Sequence, residues 1–241
     1  MKLNKLIAIA TISLLSGGIS MAQKALNLED IVAGNIIQTK GIGSMTWLKD
    51  GERYSRLENN KQTGGTDIVA YRAKDNSREV IIPSSLLTDK STGRPIPVRS
   101  VSWSADNEKV LIYNNTRRVW RYDTRGDYWV LNLKDGALRQ LGKGMPESSM
   151  MFAKFSPDGT RVAYVSNNNI YVEDIDSGKI TQLTKDGSDT IVNGTFDWVY
   201  EEEFSCRDGF RWSPDGKHIA YWQSDTKGTG VFDTINNVDS I

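Results

Sequence analysis

An all-β fold of repeated four-stranded blades, a partial β-propeller, is predicted by three observations in this 241-residue sequence. First, four stations share an aromatic residue followed by a turn: Trp47-Leu48-Lys49-Asp50-Gly51, Trp103-Ser104-Ala105-Asp106-Asn107, Phe155-Ser156-Pro157-Asp158-Gly159 and Trp212-Ser213-Pro214-Asp215-Gly216. Second, their spacings of 56, 52 and 57 residues are the length of one blade. Third, seven Trp and nine Tyr against only six Pro suit a strand-rich chain.

Lys2 and Lys5 precede an apolar stretch at residues 6–15, and Ser20-Met21-Ala22 is a small-x-small cleavage site before Gln23. Residues 1–22 therefore read as a signal peptide, with an apolar stretch too short for an ordinary membrane span. The mature chain is expected to begin near Gln23 and to be secreted or periplasmic. Residues 23–45 are a lead segment holding a short helix, with Asn27 as N-cap, Asp30 at N3 and Gly34 as the stop.

Residues 46–241 carry the blades, about three complete and part of a fourth. The third reads most cleanly, with strands at 150–156, 161–166, 170–175 and 179–184. In its first turn Pro157 presets φ, Asp158 caps locally and Gly159 takes the positive φ. The sequence stops inside an apparent connection at 236–241. An open array of this kind exposes blade faces and strand edges, and low solubility is expected of it alone.

Composition excludes several function classes. Thirty Lys and Arg balance thirty Asp and Glu, whereas a nucleic-acid binder normally shows a basic excess. Cys206 is the only cysteine, which excludes an internal disulfide and a Cys-based zinc site. There is no phosphate loop and no metal-ligand cluster, so neither cofactor nor metal is expected. His218, the only histidine, falls in a strand equivalent to 161–165 and reads as structural. No Gly-x-Ser-x-Gly nucleophile elbow occurs, so no catalytic residue is assigned to this chain. Arg125-Gly126-Asp127 reads as a turn entering a strand at 128–134 rather than as an integrin tripeptide. The Asn-x-Thr sequons at Asn114 and Asn193 matter only in a host that glycosylates.

Two long insertions interrupt the blade template. One joins strands two and three of the second blade, T-R-R-V-W-R-Y-D-T-R-G-D at 116–127. The other follows the third blade, from Lys185 to about Gly209. Connections this long are more often functional than accidental. In an up-and-down blade both leave on the same face, and the Pro-Asp-Gly turns lie on the other. The first is basic and aromatic, with Arg117, Arg118, Trp120, Arg121, Tyr122 and Arg125. The second is acidic, with Glu201, Glu202 and Glu203, and Asp197 nearby. Arg121 and the triplet are expected to face each other across one pocket. Carboxylates there would hold a free amine, and a guanidinium a carbonyl oxygen. Taken alone, the triplet reads first as a solvated helix end and the Arg-aromatic stretch as surface.

The string Asp197-Trp198-Val199-Tyr200-Glu201-Glu202-Glu203-Phe204, with Trp212-Ser213-Pro214 and Ile219-Ala220-Tyr221 after it, resembles the dipeptidyl peptidase IV branch of the prolyl oligopeptidase-type serine peptidases. Trp120-Arg121, Ala163-Tyr164-Val165 and Asn168-Asn169-Ile170-Tyr171-Val172 are similar to that family too. So is the segment at 28–31, and the likeness runs over about residues 25–241. Bacterial secreted members, prolyl tripeptidyl peptidases included, are similar around Arg207-Asp208-Gly209-Phe210-Arg211-Trp212.

The resemblance implies the N-terminal, substrate-gating fragment of a secreted, proline-specific serine exopeptidase that removes di- or tripeptides. The family caps an α/β-hydrolase domain with an eight-bladed propeller. The hydrolase domain is absent from this sequence, and the family's serine, aspartate and histidine would lie beyond residue 241. By position, Glu202 and Glu203 match the pair that grips the substrate's free N-terminus, and Arg121 the arginine that steadies a backbone carbonyl. Glu203-Phe204-Ser205 lacks the extra apolar residue many relatives carry before the Phe, which keeps Glu201 a possible member of the pair. The partners implied are peptides with a free N-terminus, proline-containing, and the resemblance implies a homodimer for the full-length form; family dimers use the hydrolase domain, so the residues of this sequence do not themselves fix the oligomeric state. The alternative is a non-catalytic, TolB-like periplasmic propeller acting as a binding module. Reading the gene past codon 241 separates them: Gly-x-Ser-x-Gly after several more blades, or a stop after two or three.

Overall fold

Three four-stranded antiparallel sheets follow one another along the chain, each strand pairing with its sequence neighbour. These blades of a partial β-propeller belong to a computed structural model that describes residues 27–32, 41, 43–230 and 233. It divides into two compact units, residues 1–42 and 43–241. In the first, α1 (Leu28–Val32) is the short helix expected after Asn27. The signal peptide at 1–22, the stop at Gly34 and the connection at 236–241 lie outside the described residues. Among the described residues no helix is long and apolar enough to cross a membrane.

The first blade is β1 (Met45–Trp47), β2 (Arg53–Asn59), β3 (Thr66–Arg72) and β4 (Arg78–Ile82). A 3-10 turn at Ser84–Leu87 and a small hairpin, β5 (Thr88–Asp89) and β6 (Arg94–Pro95), lead to the second. That blade is β7 (Ser100–Trp103), β8 (Lys109–Arg117), β9 (Arg125–Asn132) and β10 (Leu138–Gln140). The third is β11 (Met151–Phe155), β12 (Arg161–Ser166), β13 (Asn169–Asp174) and β14 (Ile180–Gln182).

Central strands are apolar at successive positions because both faces are buried, each against a different blade. Val110 and Ile112 of β8 pack towards Ile68 and Ile82 of the first blade. Leu111, between them, packs with Val162 and Tyr164 of the third. Ala163 and Val165 turn the other way, onto Phe210. The strand period of two thus sorts one run into two cores. Two of the three station tryptophans add a polar tie to the preceding blade: Trp103 Nε1 donates to Ser55 Oγ and Trp212 Nε1 to the Lys154 carbonyl, each at 3.3 Å. Phe155, at the intervening station, has no N–H to do this.

The turns repeat in atomic detail. Ser104, Ser156 and Ser213 each donate a hydroxyl to the aspartate two residues on at 2.6 Å. The same hydroxyls accept the backbone N–H of Lys109, Arg161 and His218. Asn107, Gly159 and Gly216 take φ of 60°, 68° and 68°. His218 is exposed just before its strand, a structural place in the repeat. The Ser156 hydroxyl, then the Thr160 N–H, hold Asp158 at about 2. Arg53, then two backbone N–H groups, do the same for Asp50. Both lie below the ordinary aspartate value of about 3.9, so they stabilise the folded chain above that pH and the contribution is lost as pH falls through about 2. Asp158→Asn should therefore flatten the fall in melting temperature over this window; an unchanged acid slope would contradict the assignment.

The two insertions depart from expectation. A bulge with Asn115 at φ 43° shifts the register, and β8 and β9 continue past it as far as the Arg117–Arg125 pair. The free loop shrinks to residues 118–124. Arg125, Gly126 and Asp127 are strand, not the turn expected, and Gly126 and Asp127 are buried. A Cβ on Gly126 would lie 2.4 Å from Tyr113 Cε2. Both sequon asparagines are buried as well, Asn114 at 5% and Asn193 at 0% exposure, so neither can take a glycan in the folded state. The second insertion is partly sheet: β15 (Ile191–Asn193) pairs with β18 (Gln223–Asp225). Beside this pair, β16 (Phe210–Trp212) and β17 (Ile219–Tyr221) form the start of the fourth blade.

Candidate functional site

The acidic triplet sits on α2 (Trp198–Phe204), a helix with both ends fixed. Asp197 is its N-cap, accepting the Tyr200 N–H at 3.2 Å. Its carboxylate is thereby turned to the helix backbone rather than joined to the glutamates. Ser205 closes the helix in the left-handed region at φ 49°. Phe196 stacks on Tyr200 at 4.7 Å, anchoring the apolar side of the first turn.

One helical residue separates neighbouring side chains by about 100°, and the three glutamates accordingly meet three environments. Glu201 points inward and is 2% exposed. Its Oε1 accepts the backbone N–H of Arg121 at 3.1 Å, and its Oε2 lies 3.5 Å from Arg207 Nη1. Glu202 is at the rim, its side chain 11% exposed, and its Oε1 accepts from Arg121 Nε at 2.5 Å. Glu203 is exposed, and its side chain makes no hydrogen bond or ion pair among the described residues.

The structure thus brings Arg121 to Glu201 and Glu202 across 80 and 81 residues of sequence, and Glu203 makes no such contact among the described residues. It differs from expectation in one respect. No gap separates Arg121 from the acidic helix, because the guanidinium already pairs with Glu202. That carboxylate stabilises the cation and raises the Arg121 pKa. The terminal nitrogens of Arg121 make no hydrogen bond among the described residues, and the side chain is 69% exposed. Two groups are therefore open: the guanidinium edge of Arg121, which can donate to an oxygen, and the Glu203 carboxylate on the next position of α2 after Glu202, which can accept from a cation.

Arg207 and Trp120 carry a likeness to the family in sequence but no site role there; the structure gives them one. The Arg207 guanidinium lies 3.9 Å from the centre of the Trp120 ring. Burial lowers its pKa, and Glu201 works against that shift. A tertiary contact spanning both insertions leaves no periodic signal in the sequence. Arg117, Arg118, Tyr122 and Arg125 of the basic stretch do not reach the triplet; Arg118 instead bonds the Arg121 carbonyl at 3.0 Å. Cys206 lines an open cleft of about 530 Å³ with Phe196, Phe210 and Trp222. Among the described residues no three metal-ligating side chains converge.

A family model described as the dipeptidyl peptidase IV (DPP IV) N-terminal region matches residues 104–240, more than half the chain. A probable dipeptidyl-aminopeptidase B of Podospora anserina is 40% identical over 129 residues, 53% of this chain and 14% of that protein. One from Aspergillus terreus is 29% identical over 216 residues, 86% of this chain and 23% of that protein. The crystal structure of Porphyromonas gingivalis dipeptidyl peptidase 4 superposes with a TM-score of 0.69 at 26% identity, covering 84% of this chain and 28% of that one. The chain therefore spans less than a third of each of these relatives.

Proposed function

We propose that this chain, which belongs to the dipeptidyl peptidase IV N-terminal-region family, is the substrate-gating propeller portion of a secreted or periplasmic, proline-specific serine exopeptidase. On this reading residues 1–22 direct export, 23–45 lead into the propeller and 46–241 are its first half. The rest of the propeller and the hydrolase domain, with the catalytic residues, would follow. The full-length protein would act as a homodimer on peptides with a free N-terminus.

The observation that supports the reading is the Arg121–Glu202 pair, followed on α2 by an exposed Glu203 whose side chain has no partner among the described residues. A free α-amine is cationic below a pKa of about 7.7–8.0. Glu203 and the second oxygen of Glu202 would accept its hydrogens, each charge-assisted bond worth roughly 1.5–3 kcal/mol. The free edge of Arg121 would donate to the carbonyl of the same terminal residue. An internal peptide segment offers no cation here and would leave the carboxylates facing a neutral amide. The site would thereby measure distance from the N-terminus while taking no part in bond cleavage. Glu201 is left out of amine binding, since its carboxylate is spent on Arg207 and the Arg121 backbone.

The 241-residue chain alone should not turn over Gly-Pro or Ala-Ala-Pro chromogenic substrates, and the full-length protein should. Turnover by the short chain that survives repurification and disappears in His218→Ala would refute the assignment.

A further inference from the structure

The first insertion contributes Arg121 and the second contributes Glu202 and Glu203, so the site exists only while the two loops hold a fixed relation. Arg207 touches both. Its backbone is anchored to the strand segment entering α2: its carbonyl accepts the Phe196 N–H at 3.1 Å and the Thr195 hydroxyl at 3.0 Å. From that base its side chain, 9% exposed, runs between the Trp120 ring and Glu201. Trp120 precedes Arg121 in the first insertion, and Glu201 precedes Glu202 on α2. Glu201 closes the circuit by accepting the Arg121 N–H.

The contact is not a saturated ion pair. Arg207 Nε and Nη1 and Glu201 Oε2 are buried without a hydrogen-bond partner. A buried guanidinium left this way is poor evidence of a device selected for stability alone, because apolar residues of similar volume stabilise as well or better. What the planar cation does supply is orientation: one face stacks on an indole while the edge faces a carboxylate.

We propose that Arg207 is the positioning residue of this site, clamping Trp120 and Glu201 so that Arg121 and the Glu202–Glu203 pair are presented to one ligand. The proposal rests on the amine-anchoring reading above, and its test must fail separately from that reading. In the full-length protein, Arg207→Met, Arg207→Lys and Trp120→Leu are compared with Glu202→Gln. Three quantities are measured: kcat and KM on a free-amine Gly-Pro chromogenic substrate, and the rate at which a small fluorophosphonate labels the nucleophilic serine.

Arg207→Met should raise KM about 10- to 100-fold, the scale of an ångström-level misplacement. Serine labelling should be unchanged, and kcat should move far less than KM. Arg207→Lys keeps the charge but not the planar stack and should raise KM less. Trp120→Leu should resemble Arg207→Met, since it removes the other half of the stack. If Glu202→Gln raises KM while both Arg207 variants leave it unchanged, Arg207 is not a positioning residue. If the Arg207 variants and Trp120→Leu lose serine labelling in parallel with turnover, the role is general folding and the proposal is overturned. If Glu202→Gln is itself silent, amine anchoring is wrong and the proposal falls with it.

Discussion

Glu203→Gln and Glu202→Gln should each lower kcat/KM on free N-terminal Xaa-Pro substrates by roughly 30- to 1,000-fold, the equivalent of about 2–4 kcal/mol. Both changes keep side-chain size and remove one negative charge. Glu203 is exposed and unpartnered, so its replacement leaves the fold intact and isolates the loss of the amine contact. Glu202 also holds Arg121, so Glu202→Gln additionally releases the guanidinium from its 2.5 Å pair. The larger effect is therefore expected at Glu202. Glu201→Gln belongs to another class: it strips the buried Arg207 of its counter-charge and should show first as lost thermal stability. N-acetylated substrates, which carry no cation, should be poor for the parent protein and change little in the Glu202 and Glu203 variants. Steady-state kinetics on paired free and acetylated substrates check this. Equal losses on both would show that the carboxylates do not read the amine.

The second large effect is structural. Glu173 on β13 is fully buried. It accepts from Arg139 Nη1 at 2.7 Å, from the Gly142 N–H at 2.8 Å and from the Tyr164 hydroxyl at 3.3 Å. Arg139 lies on β10 of the second blade and Gly142 in the connection between the blades, so one carboxylate ties two blades together. Burial, and then the Glu173 charge, push the Tyr164 pKa up, which keeps its hydroxyl a donor. Glu173→Ala leaves these donors facing a cavity and should cost about 3–5 kcal/mol. For a domain of this size that is a fall in melting temperature of roughly 6–20 °C. Glu173→Met combined with Arg139→Met, which removes both charges, should recover part of it. A Glu173→Ala variant melting within two degrees of the parent would show that the blades are held by their apolar faces alone.

Much of this fold is legible in the sequence because its signals are local. Ser156, Asp158 and Gly159 form a turn from side-chain chemistry within a few residues, and the same device recurs at Ser104 and Ser213. The apolar run at 161–166 is a strand in the place expected, since alternate positions face different blades. The bulge at Asn115 was not legible: its positive φ carries no glycine, and it converts much of an expected loop into strand. The pairing of Ile191–Asn193 with Gln223–Asp225 was hidden for a different reason, since it joins segments on either side of a helix and two blade strands. At the site, residue types pointed to a guanidinium opposite carboxylates. They did not separate Glu201 from its neighbours, because that distinction depends on Arg207 and Trp120, which meet it only in the folded chain.

The most direct test of the central claim is a crystal structure of the full-length protein with a non-hydrolysable Xaa-Pro ligand bearing a free amine. The amine nitrogen should lie within about 3.2 Å of both the Glu202 and Glu203 carboxylates, with the carbonyl of the same residue accepting from Arg121. An amine bound elsewhere, with Glu203 still facing solvent and Arg121 still engaged only by Glu202, would contradict it.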